Sequence, residues 1–160
     1  MATLETRLAV LEARDAVTSC LNRYLDLCDV PGPLQSPDQI GELFTENAVW
    51  EGIGSAHASR FGAQQGRAAI QEMVSGFLPP VEHFRRNSHH LATGHIETQG
   101  DTASGRWLMI QLSGYTDGTA DLLAARLTVD FHLHPRTDVG PRVLISHFRT
   151  ERMFDAKVAP

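Results

Sequence analysis

Long apolar runs and basic tracts are both missing from this chain. The apolar stretches fall far short of the ~20 residues that a membrane-spanning helix needs, so no membrane is expected as a partner. Lys and Arg total 14 against 19 Asp and Glu, a formal charge of −5. An acidic chain without a basic run excludes nucleic acid as the default partner. The opening Met-Ala-Thr-Leu-Glu-Thr-Arg carries charge where a secretory leader needs apolar residues, which points to a cytoplasmic protein. Cysteine is scarce. Cys20 and Cys28 fall on one expected helix, about 12 Å apart, which is too far for a disulfide. They lack the Cys-x-x-Cys spacing of a zinc site. No Gly-x-Gly-x-x-Gly, phosphate-binding loop or Gly-x-Ser-x-Gly elbow occurs, which removes the common nucleotide-binding and serine-hydrolase signatures.

What is present suits one globular domain over residues 1–160, with 42% apolar and 21% charged residues. Leu4, Leu8, Leu11, Val17, Leu21, Leu25 and Cys28 recur at helical spacing. Thr3 is placed to cap this helix, and Pro31-Gly32-Pro33 ends it. A second, short helix is expected from Ser36 and Pro37, with Ile40, Leu43 and Phe44 on its apolar face. Asn47 to Ile53 reads as a strand and Gly54 to Gly66 as a mobile loop. A third helix opens at Gly66-Arg67, buries Ile70, Met73, Val74 and Phe77, and stops at Pro79-Pro80. From Phe84 the period changes to two, predicting strands near 86–98, 102–115, 121–134 and 142–154 with hairpin turns between them. Three helices before a long, mostly antiparallel sheet make an α+β fold, with the curved sheet wrapped over the helices around one pocket.

Several residues in this frame carry chemistry. Tyr24 lies beside the core face of the first helix, where a phenol can donate to a substrate oxygen. Asp29 ends that helix, where the dipole disfavours a carboxylate, so a cationic or histidine partner is expected. The plain alternative makes Tyr24 a core aromatic and Asp29 a solvated loop residue. In the strand from Asn87 to Thr98, the even positions (Ser88, His90, Ala92, Gly94, Ile96, Thr98) are smaller and more apolar than the odd ones. That parity predicts His90 inward, as a general base or as a histidine bonded to backbone, and His89 outward. Leu123, Ala125, Leu127, Val129, Phe131 and Leu133 form one strand face, and Arg126, Thr128, Asp130, His132 and His134 the other. The polar face is solvated, subunit-facing or pocket-lining. Its His132 and His134 lack a third ligand at diagnostic spacing, so no metal is expected. Arg149 shares parity with Val143, Ile145 and Met153, and either holds a substrate anion or pairs with Glu151 or Asp155.

Four stretches in order resemble the polyketide-cyclase-like (SnoaL-like) branch of the nuclear-transport-factor-2-like superfamily. They are Leu11-Glu12-Ala13-Arg14-Asp15-Ala16-Val17 followed by Tyr24-x-x-x-x-Asp29, then Leu43 to Glu51, Gly66 to Ile70, and His90 to Ile96 followed by Gly100-Asp101. Scytalone dehydratase, bile-acid 7α-dehydratase and hexachlorocyclohexane dehydrochlorinase are enzymes of this kind. The resemblance implies a cone-shaped α+β barrel with one deep apolar pocket and a His–Asp pair working without metal or organic cofactor. It places Asp29 at the dyad aspartate, His90 at the base, Tyr24 near the substrate and Arg149 at an arginine of the last strand. Trp50, Phe77, Trp107, Asp130 and His132 are then the expected substrate-binding residues. The sequence departs from the pattern at Gly94, often Asn in the family.

The expected reaction is proton abstraction from an apolar cyclic substrate, leading to elimination or a double-bond shift. The alternatives are a non-catalytic binding module, its pocket filled by Trp50, Phe77, Trp107 and Phe131, or an accessory subunit of a ring-hydroxylating oxygenase. Self-association as a homodimer or homotrimer is expected under each reading.

Overall fold

A computed structural model describes residues 2–33, 40–135 and 140–158. Helix α1 spans Leu4–Leu27, with the Thr3 hydroxyl accepting from the Thr6 backbone N–H at its start and Cys28 closing its end. Its inner face is buried from Ala13 onward through Val17, Leu21 and Leu25. Leu4, Leu8 and Leu11, expected on the same core stripe, are more than half exposed. The apolar period is therefore continuous along the helix, but the core covers only its later turns.

Ser36 and Pro37 lie outside the described residues; the rest of the expected second helix is a single 3-10 turn at Gly41–Leu43. Strand β1 then begins at Phe44 and runs to Ile53. The segment expected as a mobile loop instead forms helix α2, Gly54–Phe61, and strand β2, Ala63–Gln65. Gly52 makes this possible: a Cβ there would sit 2.3 Å from the His57 carbonyl oxygen, so only glycine lets α2 lie directly on β1. Helix α3, Arg67–Ser75, buries Ile70 and Val74 as expected.

Four long strands follow, β3 at Phe84–Gln99, β4 at Thr102–Tyr115, β5 at Ala120–His134 and β6 at Arg142–Val158. The sheet order is β2-β1-β6-β5-β4-β3, antiparallel throughout except for the β1–β6 pair. This is the expected α+β fold, with three α-helices against one face of a six-stranded sheet among the described residues. Among the described residues no helix is long and apolar enough to cross a membrane.

Bulges decide which side chains reach the inner face. In β3, Leu91 pairs with Met109 but Gly94 pairs with Trp107, so two residues of β3 oppose one of β4. Asn87, His89 and Leu91 therefore share the inner face with Ser113, Gln111 and Met109, whereas beyond the bulge Gly94 and Ile96 do. In β6 the extra residue at Ser146 has the same effect: Ile145 faces inward with Phe131, and Phe148, Thr150 and Arg152 continue the inner face. A further shift at Met153 brings Asp155 and Lys157 inward.

Candidate active site

The inner face of the sheet and the three helices enclose a cavity of about 580 Å³. Trp50, Phe61, Phe77, Phe84, Met109 and Phe148 give it apolar walls. Trp50 stacks on Phe148 at 5.6 Å, and Tyr24 meets Phe148 edge-on at 5.1 Å. The volume is in the range that holds a small organic molecule.

One end of the cavity is built by the close of α1. Val30 and Asn87 exchange two backbone hydrogen bonds of 2.9 Å, which clamps the helix exit to β3. Asn87 is buried, and its side-chain oxygen accepts from Gln111 and Ser113 on β4 at 2.9 Å each. This clamp sets Asp29 opposite His89. Asp29 Oδ1 accepts from the His89 backbone N–H at 2.9 Å and from His89 Nδ1 at 2.7 Å. The carboxylate at the unfavourable helix end thus has the partner that its position requires. A carboxylate only accepts, so Nδ1 carries a proton, and in the neutral ring Nε2 is then the nitrogen with the lone pair. Nε2 has no hydrogen-bond partner among the described residues, and the ring lines the cavity.

This corrects the sequence reading of β3. His90 faces away from the cavity, exposed, with Nε2 3.1 Å from the Ser88 hydroxyl. The parity argument carried the Gly94–Ile96 phase back across the bulge, and one extra residue inverts it. Arg149 is corrected for the same reason. Beyond the Ser146 bulge it lies on the outer face, 2.7 Å from Asp130 Oδ2 and 2.8 Å from His147 Nδ1. Asp130 therefore faces outward too, and His132 beside it on that face is exposed. Neither lines the cavity, because the cavity lies on the Leu123–Leu127 side of β5. Trp107 points inward but is core: its indole is covered by Gly94 and Gly105 and meets Phe131 edge-on at 6.2 Å. Trp50 and Phe77 do line the cavity.

Tyr24 is buried against the cavity wall and accepts from the Trp50 indole N–H at 2.9 Å. Burial holds its phenol well above the ordinary range, so it stays neutral. Burial likewise pushes both the Cys20 and Cys28 thiols up to about 12.

Sequence reasoning passed over His57, Arg60 and Arg152, which also line the cavity. His57 is buried on α2, with Nδ1 3.3 Å from the Thr150 hydroxyl. Burial lowers its pKa from 6.5, favouring neutral imidazole. The helical spacing of His57 and Phe61 within the supposed loop was the signal that could have found this wall. Among the described residues no three His, Cys, Asp or Glu side chains converge as a metal site.

The SnoaL-like domain family matches residues 9–139. No match is found among curated protein sequences. Solved structures show the same fold. A type 2 hexachlorocyclohexane dehydrochlorinase superposes with a TM-score of 0.75 at 17% identity, over 96% of this chain and 93% of its own. A Novosphingobium aromaticivorans protein provisionally assigned as an aromatic ring hydroxylase gives 0.70 at 22%, over 99% and 96%. The beta subunit of a dioxygenase, provisionally assigned as aromatic-ring-hydroxylating, from the same organism gives 0.65 at 16%, over 92% of each chain.

Proposed function

Since the chain belongs to the SnoaL-like domain family, we propose that it is a lyase or isomerase in which His89, oriented by Asp29, takes a proton from carbon without a cofactor. The observation that carries this reading is the 2.7 Å Asp29–His89 pair beside an apolar cavity of about 580 Å³, with Nε2 unbonded among the described residues. Nε2 accepts the proton. The C–H electron pair becomes a new double bond, and a halide or hydroxyl leaves the adjacent carbon, or the double bond shifts. Asp29 stabilises the imidazolium as it forms, and a positioned base of this kind contributes about 10²–10⁴-fold. Tyr24, neutral and at the wall, polarises a substrate oxygen or assists a leaving hydroxyl. The substrate carries an apolar ring, matched to walls of Trp50, Phe61, Phe77 and Phe148. Elimination of hydrogen halide, the reaction in the name of the structurally similar dehydrochlorinase, belongs to this class.

The test is a panel of halogenated cyclohexanes and cyclic β-hydroxy ketones, followed by two variants of the substrate that turns over. His89→Ala should lose turnover about 10²–10⁴-fold, while His90→Ala stays near wild type. Equal activity of His89→Ala and wild type overturns the reading. A panel in which nothing turns over would instead favour the accessory-subunit reading, which requires a stable complex with a larger metal-bearing chain.

A further inference from the structure

The cavity has a second polar group, carried by α2, the β4–β5 turn, β5 and β6, whereas His89 is on β3, and its charges are unevenly satisfied. Three carboxylates line it, and each has partners. Asp117 accepts from the Thr119 backbone and hydroxyl at 2.8 and 2.7 Å. Asp121 accepts from Tyr115 and from Lys157 at 3.2 Å. Asp155, half exposed, forms an ion pair with Arg152 Nη1 at 3.6 Å.

The cations are less fully engaged. Lys157 is held by Asp121, but Arg152, beyond its ion pair through Nη1, has a buried Nε with no hydrogen-bond partner among the described residues. Arg60 makes no ion pair among the described residues; its guanidinium lies 5.3 Å from the centre of the Phe61 ring. These two arginines flank His57. Arg60 follows His57 by three residues, close to one turn of α2. Arg152 follows Thr150, the hydrogen-bond partner of His57, on the same face of β6. Both guanidinium charges lower the His57 pKa, in the same direction as burial. Two guanidinium groups and a neutral imidazole thus border one side of an apolar cavity, and one buried donor there is unused among the described residues.

We propose that this side binds an anionic oxygen group of the substrate, so that the site takes cyclic or aromatic carboxylates, with the acid held by Arg152 and Arg60 and the ring against Trp50 and Phe148. The proposal rests on the reading of the cavity as a substrate site and names the substrate class. Guanidinium donors suit it because they offer a planar pair of N–H groups to a carboxylate. His57 supplies a neutral ring beside them rather than a third charge.

The test compares 2-naphthoate with its neutral isostere 2-naphthamide by titration calorimetry at low salt. The acid should bind at least about tenfold more tightly than the amide, the preference should shrink as salt rises, and Arg152→Gln should remove it while leaving amide binding in place. Arg60→Gln, at an exposed position, provides a second variant and should reduce the preference in part. Equal binding of acid and amide, binding of neither, or an unchanged preference in both variants overturns the proposal. Failure of the Asp29–His89 reading would appear in turnover and leave this preference intact. Failure here would leave the loss of turnover in His89→Ala intact.

Discussion

His89 and His147 each meet a carboxylate at 2.7 Å, on opposite faces of the same sheet. On the inner face Asp29 takes Nδ1 of His89 and nothing takes Nε2 among the described residues. On the outer face Glu51 takes Nε2 of His147, and Arg149 donates to Nδ1 while also holding Asp130. The first ring lines a cavity and has one nitrogen without a partner among the described residues; the second has both nitrogens engaged. A short carboxylate–imidazole distance therefore does not identify a base. The state of the other nitrogen does, together with a space for a carbon acid beside it.

The largest break in that comparison is kinetic. Asp29→Asn and His89→Ala should each lower turnover about 10²–10⁴-fold, whereas His147→Gln should stay within a few-fold in the same assay. A matching loss in His147→Gln would erase the distinction between the faces. The next effect concerns the bulge that turns His89 inward. A Cβ at Gly94 would sit 2.3 Å from the Trp107 ring, so Gly94→Ala should cost about 1–3 kcal/mol in urea unfolding. Unchanged stability would mean that the indole does not need the backbone gap. The smallest effect belongs to His57, which sharpens the contrast with His89 because burial keeps it uncharged. Its pKa is lowered in the folded chain, so below pH 6.5 the unfolded chain binds a proton that the folded chain refuses. Stability then falls as pH drops from 6.5 towards the folded pKa, and His57→Gln should flatten that slope by less than one proton per molecule. An identical slope in both proteins would contradict a buried neutral His57.

Much of this fold was legible because its strands are long and regularly patterned. The hairpin turns and strands β3 to β6 fall within a few residues of their expected positions. The α2 wall was missed because Gly, Ala and Ser dominate 54–66, and such residues mark loops unless one helix face is seen to carry His57 and Phe61. At the candidate site, the family resemblance singled out Asp29 and Tyr24, and the structure sets Tyr24 at the cavity wall and Asp29 against a histidine. The identity of the histidine and of the arginine was not legible. Both errors have one cause: alternation assigns faces only while the ladder is regular, and single extra residues in β3 and β6 invert it. β5 has no extra residue of its own, and its two faces came out as read.

The most direct measurement of the central claim is a ¹⁵N–¹H correlation spectrum of the histidine rings near neutral pH, assigned with His89→Gln, His90→Gln and His147→Gln. The contacts require a proton on Nε2 and a bare Nδ1 in His147 and a proton on Nδ1 in His89; the proposed role as a base requires in addition that His89 be bare on Nε2, the opposite tautomer. Asp29→Asn should disturb the His89 signals and leave those of His90 in place. A His89 ring protonated on Nε2, or a response to Asp29→Asn in His90 instead, would contradict the account.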